Sequence, residues 1–358
     1  MQPALHFAGS PLYRRKPAFN RAMQRSVTTK RWQQGADRKG NMIDLLLLIA
    51  GLAILFVGGD ILIRGAVGVA ERLHVPPLII GLTIVAMGTS APELMVSLKA
   101  ALEGAGGISI GNVIGSNLAN VMLVLAVPSL IRPTPCRERG IGRNIAVMVA
   151  ITIVFMVTMA DGMLTRADGI ILLVLLGLFL FDQLRTAQKH RRSSRKETHD
   201  HPDEPGKAPE APWLIAAMLI GGLIALPIGA DLTVRGASAI AASLGVPQEV
   251  IGLTVVGIGT SLPEVAASLL AVMRNHSSVA LGNVVGSNIF NIGLIMGTTA
   301  TTVPVSVVEH IIRVDMWMML AAALLIAVFA KMGIFIGRKI AAAMIAVYSA
   351  YVVLLFAM

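Results

Sequence analysis

The chain of 358 residues has a single cysteine, Cys136, so no disulfide can form within it. Its seven histidines neither cluster nor share a spacing that suits zinc, which leaves soft-metal chemistry without support. Charge is scarce too, at 14% of residues, and aromatic residues make up only 4%. Apolar residues reach 55% and the mean hydropathy is +0.75, a balance that a soluble protein of this size could not hide in one core. These shortages point to an integral membrane protein.

What is abundant is apolar sequence in long runs. The runs starting at Met42, Ile145, Ile170, Trp213 and Met316 reach the roughly 18 to 20 residues that cross a bilayer as a helix. Shorter runs punctuated by glycine fill the intervals. Together they predict about ten crossings, centred near residues 52, 86, 120, 152, 176, 224, 257, 290, 321 and 346. The net charge of +10 is gathered before Met42, between Arg132 and Arg143, and between Arg185 and Lys207. Basic residues spread over the loops of a membrane protein read as topology signals, and nucleic-acid binding is not expected.

The chain repeats itself. Adding 171 to a position maps Asp60 through Asn120 onto Asp231 through Asn291 without a gap, and 28 of those 61 pairs are identical. The identities are largely polar residues, glycine and proline, so shared hydrophobicity does not explain them. The repeat distance holds about five crossings, an odd number, and the second copy therefore enters the membrane from the opposite side. The expected fold is all-α and membrane-integral, with ten transmembrane helices built from two inverted repeats of five. The expected division is a basic tail at 1–41, a first repeat at 42–185, a hydrophilic loop at 186–212 and a second repeat at 213–358. With Met42 starting outside, seventeen Lys and Arg fall inside and four outside, which puts both helix ends outside and the central loop in the cytoplasm. The tail breaks that rule with nine basic residues, and is read as dispensable or non-native.

"GTSAPE" at residues 88–93 and "GTSLPE" at 259–264 place a carboxylate and a helix breaker inside apolar sequence. Pro92 and Pro263 cannot donate a backbone hydrogen bond, which points to the carbonyls of Gly88 and Gly259 as freed oxygens. The hydroxyls of Thr89, Ser90, Thr260 and Ser261 stand beside them. Further along, Asn112, Ser116 and Asn120 recur in steps of four, as do Asn283, Ser287 and Asn291, so each set lines one helical face. Gly111 and Gly115, like Gly282 and Gly286, read as close-packing positions. A carboxylate at the bilayer centre costs about 2.5–3.5 kcal/mol, so Glu93 and Glu264 call for a cation or protons. An all-oxygen set suits a hard ion, and calcium fits it better than magnesium. Asp60 with Arg64 and Asp231 with Arg235 read as structural pairs near helix ends.

The doubled strings "GTSAPE…GNVIGSN..N" and "GTSLPE…GNVVGSN..N" resemble the two alpha repeats of the sodium/calcium exchanger family, within the cation/calcium antiporter superfamily. The resemblance covers Met42 to Met358. It implies that the second, third, seventh and eighth crossings enclose the ion sites while the first and sixth slide past them. It also implies that Glu93 and Glu264 are the principal calcium ligands. Thr89, Ser90, Thr260 and Ser261 would then supply oxygens to calcium or sodium, and Ser116, Asn120, Ser287 and Asn291 the remaining lining. Some sodium-coupled members carry aspartate at the position matching Asn291; here both counterparts are asparagine, which leaves sodium and proton coupling open. The expected function is an antiporter in a cell inner membrane that needs no cofactor and exchanges Ca2+ for Na+ or H+. The alternatives are an exchanger for another cation and an intramembrane enzyme using paired carboxylates as acid and base.

Overall fold

The structure is a computed structural model and describes residues 38–197, 211–246 and 259–357. Its helices in chain order are α1 (Arg38–Leu73), α2 (Pro77–Thr89), α3 (Ala91–Leu102), α4 (Gly106–Ile131), α5 (Ile141–Thr158), α6 (Arg166–Glu197), α7 (Pro212–Ser243), α8 (Leu262–Met273), α9 (Ser277–Thr302), α10 (Ile311–Met332) and α11 (Arg338–Ala357). Eight of these are long and apolar enough to span a membrane, and α2 with α3, bent by 44° at Ser90, makes a ninth span. The crossing expected near residue 257 falls partly on 247–258, outside the described residues, and continues as α8. Helix α6 runs to Glu197, so the composition change at residue 185 does not end the helix there.

Helices α4 and α9 form the centre, since 72% and 94% of their apolar windows are buried by protein, against 11–44% for the other long spans. Around them, α1 and α7 pack side by side along a seam of glycines. Gly51, Gly58 and Gly65 on α1 and Gly222, Gly229 and Gly236 on α7 recur every seven residues and correspond under the same offset of 171. A Cβ on Gly222 would lie 2.6 Å from Leu62 Cα, and one on Gly65 would lie 2.5 Å from the Leu219 nitrogen. Backbone therefore meets backbone, a proximity that only glycine allows. Gly282 and Gly286 do the same for α9 against α2, where a Cβ would come within 2.7 Å and 2.6 Å of the Leu78 and Leu82 carbonyl oxygens. Most of the segment corresponding to α2 in the second half, residues 248–258, lies outside the described residues.

Two short antiparallel ribbons join the halves. Strand β1 (Thr134–Pro135) pairs with β4 (Phe335–Ile336), and β2 (Met163–Leu164) pairs with β3 (Val305–Ser306). Each ribbon links the loop after α4 or α9 to the loop between the last two helices of the other repeat. The inversion of the repeats permits this exchange, because it puts the paired loops on one side of the bilayer.

Asp60 and Asp231 sit in the interior of α1 and α7 rather than near helix ends. Asp231 pairs with Arg235 at 2.9 Å. Asp60 pairs with Arg64 at 3.1 Å and also with Arg274, at the end of α8 in the other repeat. The sequence offers no symmetric equivalent of that second pair, because the counterpart of Arg274 is Glu103.

Candidate cation-binding site

The helix break is built the same way twice. Ser90 has φ −82°, ψ 4° and Ser261 has φ −88°, ψ 2°, and each is followed by a helix with proline in its first two positions. Proline is tolerated there because the first backbone N–H groups of a helix have no partner to lose. Glu93 and Glu264 consequently fall in the first turns of α3 and α8, where the helix dipole favours a carboxylate. Both are 1% exposed. Leu223 and Val234 of α7 rest against Gly88 and Gly259, so one helix covers both breaks.

Contacts between the repeats then assemble the remaining groups. Ser90 Oγ donates a long hydrogen bond of 3.5 Å to Glu264 Oε1, and Thr89 Oγ1 lies 3.3 Å from Asn283 Oδ1. Asn283 Nδ2 donates to Ser268 Oγ at 3.1 Å, and its counterpart Asn112 Nδ2 donates to Ser97 Oγ at 2.9 Å. The side chains of Asn112 and Asn283 are thus engaged in joining α4 to α3 and α9 to α8. Asn120 Nδ2 donates to Asn288 Oδ1 and Asn291 Nδ2 to Asn117 Oδ1, both at 3.0 Å. At Asn120 and Asn291 the helices also widen into π turns, Asn120–Val124 and Asn291–Met296. Such turns release backbone carbonyls from their usual partners and occur often at functional sites.

Among the described residues, nine buried side-chain oxygen or nitrogen atoms lack a hydrogen-bond partner, and all nine are oxygens. Six belong to residues singled out from the sequence: both carboxylate oxygens of Glu93, Glu264 Oε2, Asn120 Oδ1, Asn291 Oδ1 and Ser287 Oγ. None of the ion pairs among the described residues includes either glutamate. An unpaired buried oxygen costs roughly 1–3 kcal/mol, more when charged, so this set calls for positive charge. Ser116, Ser261 and Gly259 are also buried, while Gly88 and Thr260 are partly exposed.

The sequence model of the family described as sodium/calcium exchanger protein matches residues 43–185 and 214–357. The chain belongs to the sodium/calcium exchanger family. This exchanger-family protein is 32% identical over 350 residues to sodium/calcium exchanger MaX1 of Methanosarcina acetivorans, covering 88% of this chain and 99% of the relative. It is 34% identical over 263 residues to inner membrane protein YrbG of Escherichia coli, covering 72% and 79%. The solved structure of the sodium-calcium exchanger NCX_Mj, soaked with zero Na+ and Ca2+, matches with a TM-score of 0.74 at 33% identity, covering 87% of this chain and 98% of that one. Membership makes this exchanger-family chain a membrane antiporter that works without a cofactor, and the intramembrane enzyme is set aside.

Four residues that sequence reasoning passed over hydrogen-bond to the asparagines of the repeated strings. Asn117 and Asn288 stand inside the repeated strings and carried no expected role, yet they pair with Asn291 and Asn120 across the halves. Ser97 and Ser268 are an identical pair under the offset of 171, which was their available signal.

Proposed function

We propose that this protein exchanges Ca2+ for Na+ or H+ by alternating access, with Glu93 and Glu264 as the cation site that the exchanged ions share. The observation that carries this reading is that six buried oxygens without a hydrogen-bond partner, three of them carboxylate oxygens, belong to residues drawn from both repeats. Thr89, Ser90, Thr260, Ser261, Ser116, Ser287, Asn120 and Asn291 supply the neutral oxygens, with the carbonyls of Gly88 and Gly259. A calcium ion accepts six to eight oxygens in adaptable geometry, which this set can provide without sulfur or imidazole. Calcium and the coupling ions neutralise the same two carboxylates and so compete. With both positions 120 and 291 neutral, the glutamates carry the site's whole formal charge. The protein works in the cell inner membrane with both helix ends outside and the loop at 186–212 in the cytoplasm, an arrangement supported by the seventeen-to-four distribution of basic residues. Its functional parts are the repeats 42–185 and 213–358.

The test is labelled-calcium uptake into proteoliposomes loaded with sodium or set to an acid interior, with Glu264→Gln beside the parent protein. Uptake driven by one of these gradients and lost in the variant supports the reading and names the coupling ion. Uptake at the parent rate in a correctly inserted Glu264→Gln protein sinks the shared site.

A further inference from the structure

Asn120 and Asn291 can serve a cation only if their amides present oxygen to it. An asparagine amide has nearly the same shape when its oxygen and nitrogen are exchanged, so packing hardly distinguishes the two orientations and hydrogen bonding must. We propose that Asn117 and Asn288 are positioning residues that set this orientation, each for the other repeat.

The argument runs outward from the backbone. Asn288 Nδ2 donates to the Asn117 backbone carbonyl at 3.3 Å, and Asn117 Nδ2 donates to the Asn288 backbone carbonyl at 3.5 Å. A backbone carbonyl can only accept, so it holds the nitrogen end of the facing amide towards itself. The oxygen end of Asn288 is thereby presented to Asn120, and that of Asn117 to Asn291. Each oxygen in turn receives the Nδ2 of its partner at 3.0 Å. With their nitrogens committed, Asn120 and Asn291 are left with buried Oδ1 atoms that have no protein partner. Exchanging oxygen and nitrogen at any one of the four amides would set two acceptors or two donors against each other. Met148 on α5 and Met319 on α10, themselves 171 residues apart, back the pair with sulfurs 3.6 Å from the Nδ2 atoms of Asn288 and Asn117. Each half therefore orients an oxygen ligand in the other, and neither half can form the site alone.

This inference rests on the cation-site reading, and the test separates the two. Calcium uptake is measured against calcium concentration for Asn120→Leu, Asn288→Leu and the double variant, with Glu264→Gln in the same series. Partners that orient metal ligands are worth about 10–100-fold in metal affinity. Asn288→Leu is expected to raise the half-saturating calcium concentration about tenfold while leaving the maximal rate near that of the parent. The double variant is expected to be no worse than Asn120→Leu alone, because Asn288 acts only through the Asn120 amide. Multiplying effects in the double variant, or an unchanged half-saturation in Asn288→Leu, overturn the proposal while leaving the cation site standing. Parent-like uptake in Glu264→Gln removes the site and the proposal together. If leucine prevents insertion, Asn288→Ser removes the same contacts with less bulk and is read in the same cycle.

Discussion

Gly222 of α7 and its neighbour Gly221 offer a matched pair for testing the glycine seam. A Cβ at Gly222 would lie 2.6 Å from Leu62 Cα and Cβ and 2.7 Å from the Leu62 nitrogen, whereas a Cβ at Gly221 meets nothing within 4 Å. Non-bonded carbons prefer separations of about 3.5–4.0 Å, so alanine at 222 must push α1 away by about 1 Å. The atoms in its path belong largely to backbone and cannot turn aside. Overpacking of this kind costs about 1–3 kcal/mol, set against the gain of roughly 1 kcal/mol that alanine brings to any helical glycine position. Gly221→Ala receives the gain without the clash. The two single-methyl variants should therefore differ by about 1–3 kcal/mol, with Gly222→Ala the less stable. Thermal unfolding of both proteins in the same detergent micelles measures the difference directly. Equal unfolding temperatures, or a more stable Gly222→Ala, would refute the close approach of α1 and α7.

Three further outcomes are expected. Arg274→Gln should cost about 1 kcal/mol, because Arg274 is partly exposed and Asp60 keeps Arg64 at 3.1 Å; a double-mutant cycle with Asp60→Asn should show a coupling of similar size, and zero coupling would remove the tether between α1 and α8. Cys136 lies in the loop after α4 with no exposed surface, and burial pushes its thiol up from an ordinary 9.0 to about 12. It should resist maleimide near neutral pH and react once the protein is unfolded, and rapid labelling of the native protein would contradict that burial. Because the folded state holds this proton better, its contribution to stability is complete below the unfolded value and is lost as pH climbs towards 12. Removing residues 1–41 should leave calcium uptake intact, and loss of uptake in a properly inserted trimmed protein would show that the tail is needed.

The site was legible where polar residues had no ordinary reason to be. Glu93, Glu264 and their hydroxyl neighbours stand out because lipid gives a carboxylate nothing to bond with, and the duplication repeats the anomaly in register. Asn117 and Asn288 were harder to see. They follow Ser116 and Ser287 by one residue, about 100° around the helix, so a step-of-four reading assigns them to another face. Only the packing of α4 against α9 shows that this face meets its counterpart in the other repeat. The glycine seam was written in the sequence as a period of seven, yet Gly51 and Gly58 precede the aligned stretch that begins at Asp60. Arg274 was invisible to any argument from symmetry, since its counterpart is an acid. The π turns at Asn120 and Asn291 have no composition of their own and arise from how the helices fit.

The ribbons that tie the halves together also order events during synthesis. Strand β1 ends at Pro135, and its partner begins at Phe335, two hundred residues later. At about 5–20 residues per second, the first strand leaves the ribosome some 10–40 s before the second exists. For most of that interval α4 holds Asn117 and Asn120 while their partners Asn288 and Asn291 are still untranslated. The first repeat must therefore persist in the membrane as an unfinished half, with the asparagine-bearing face of α4 shielded from lipid by insertion machinery or by its own neighbours, until its inverted twin arrives.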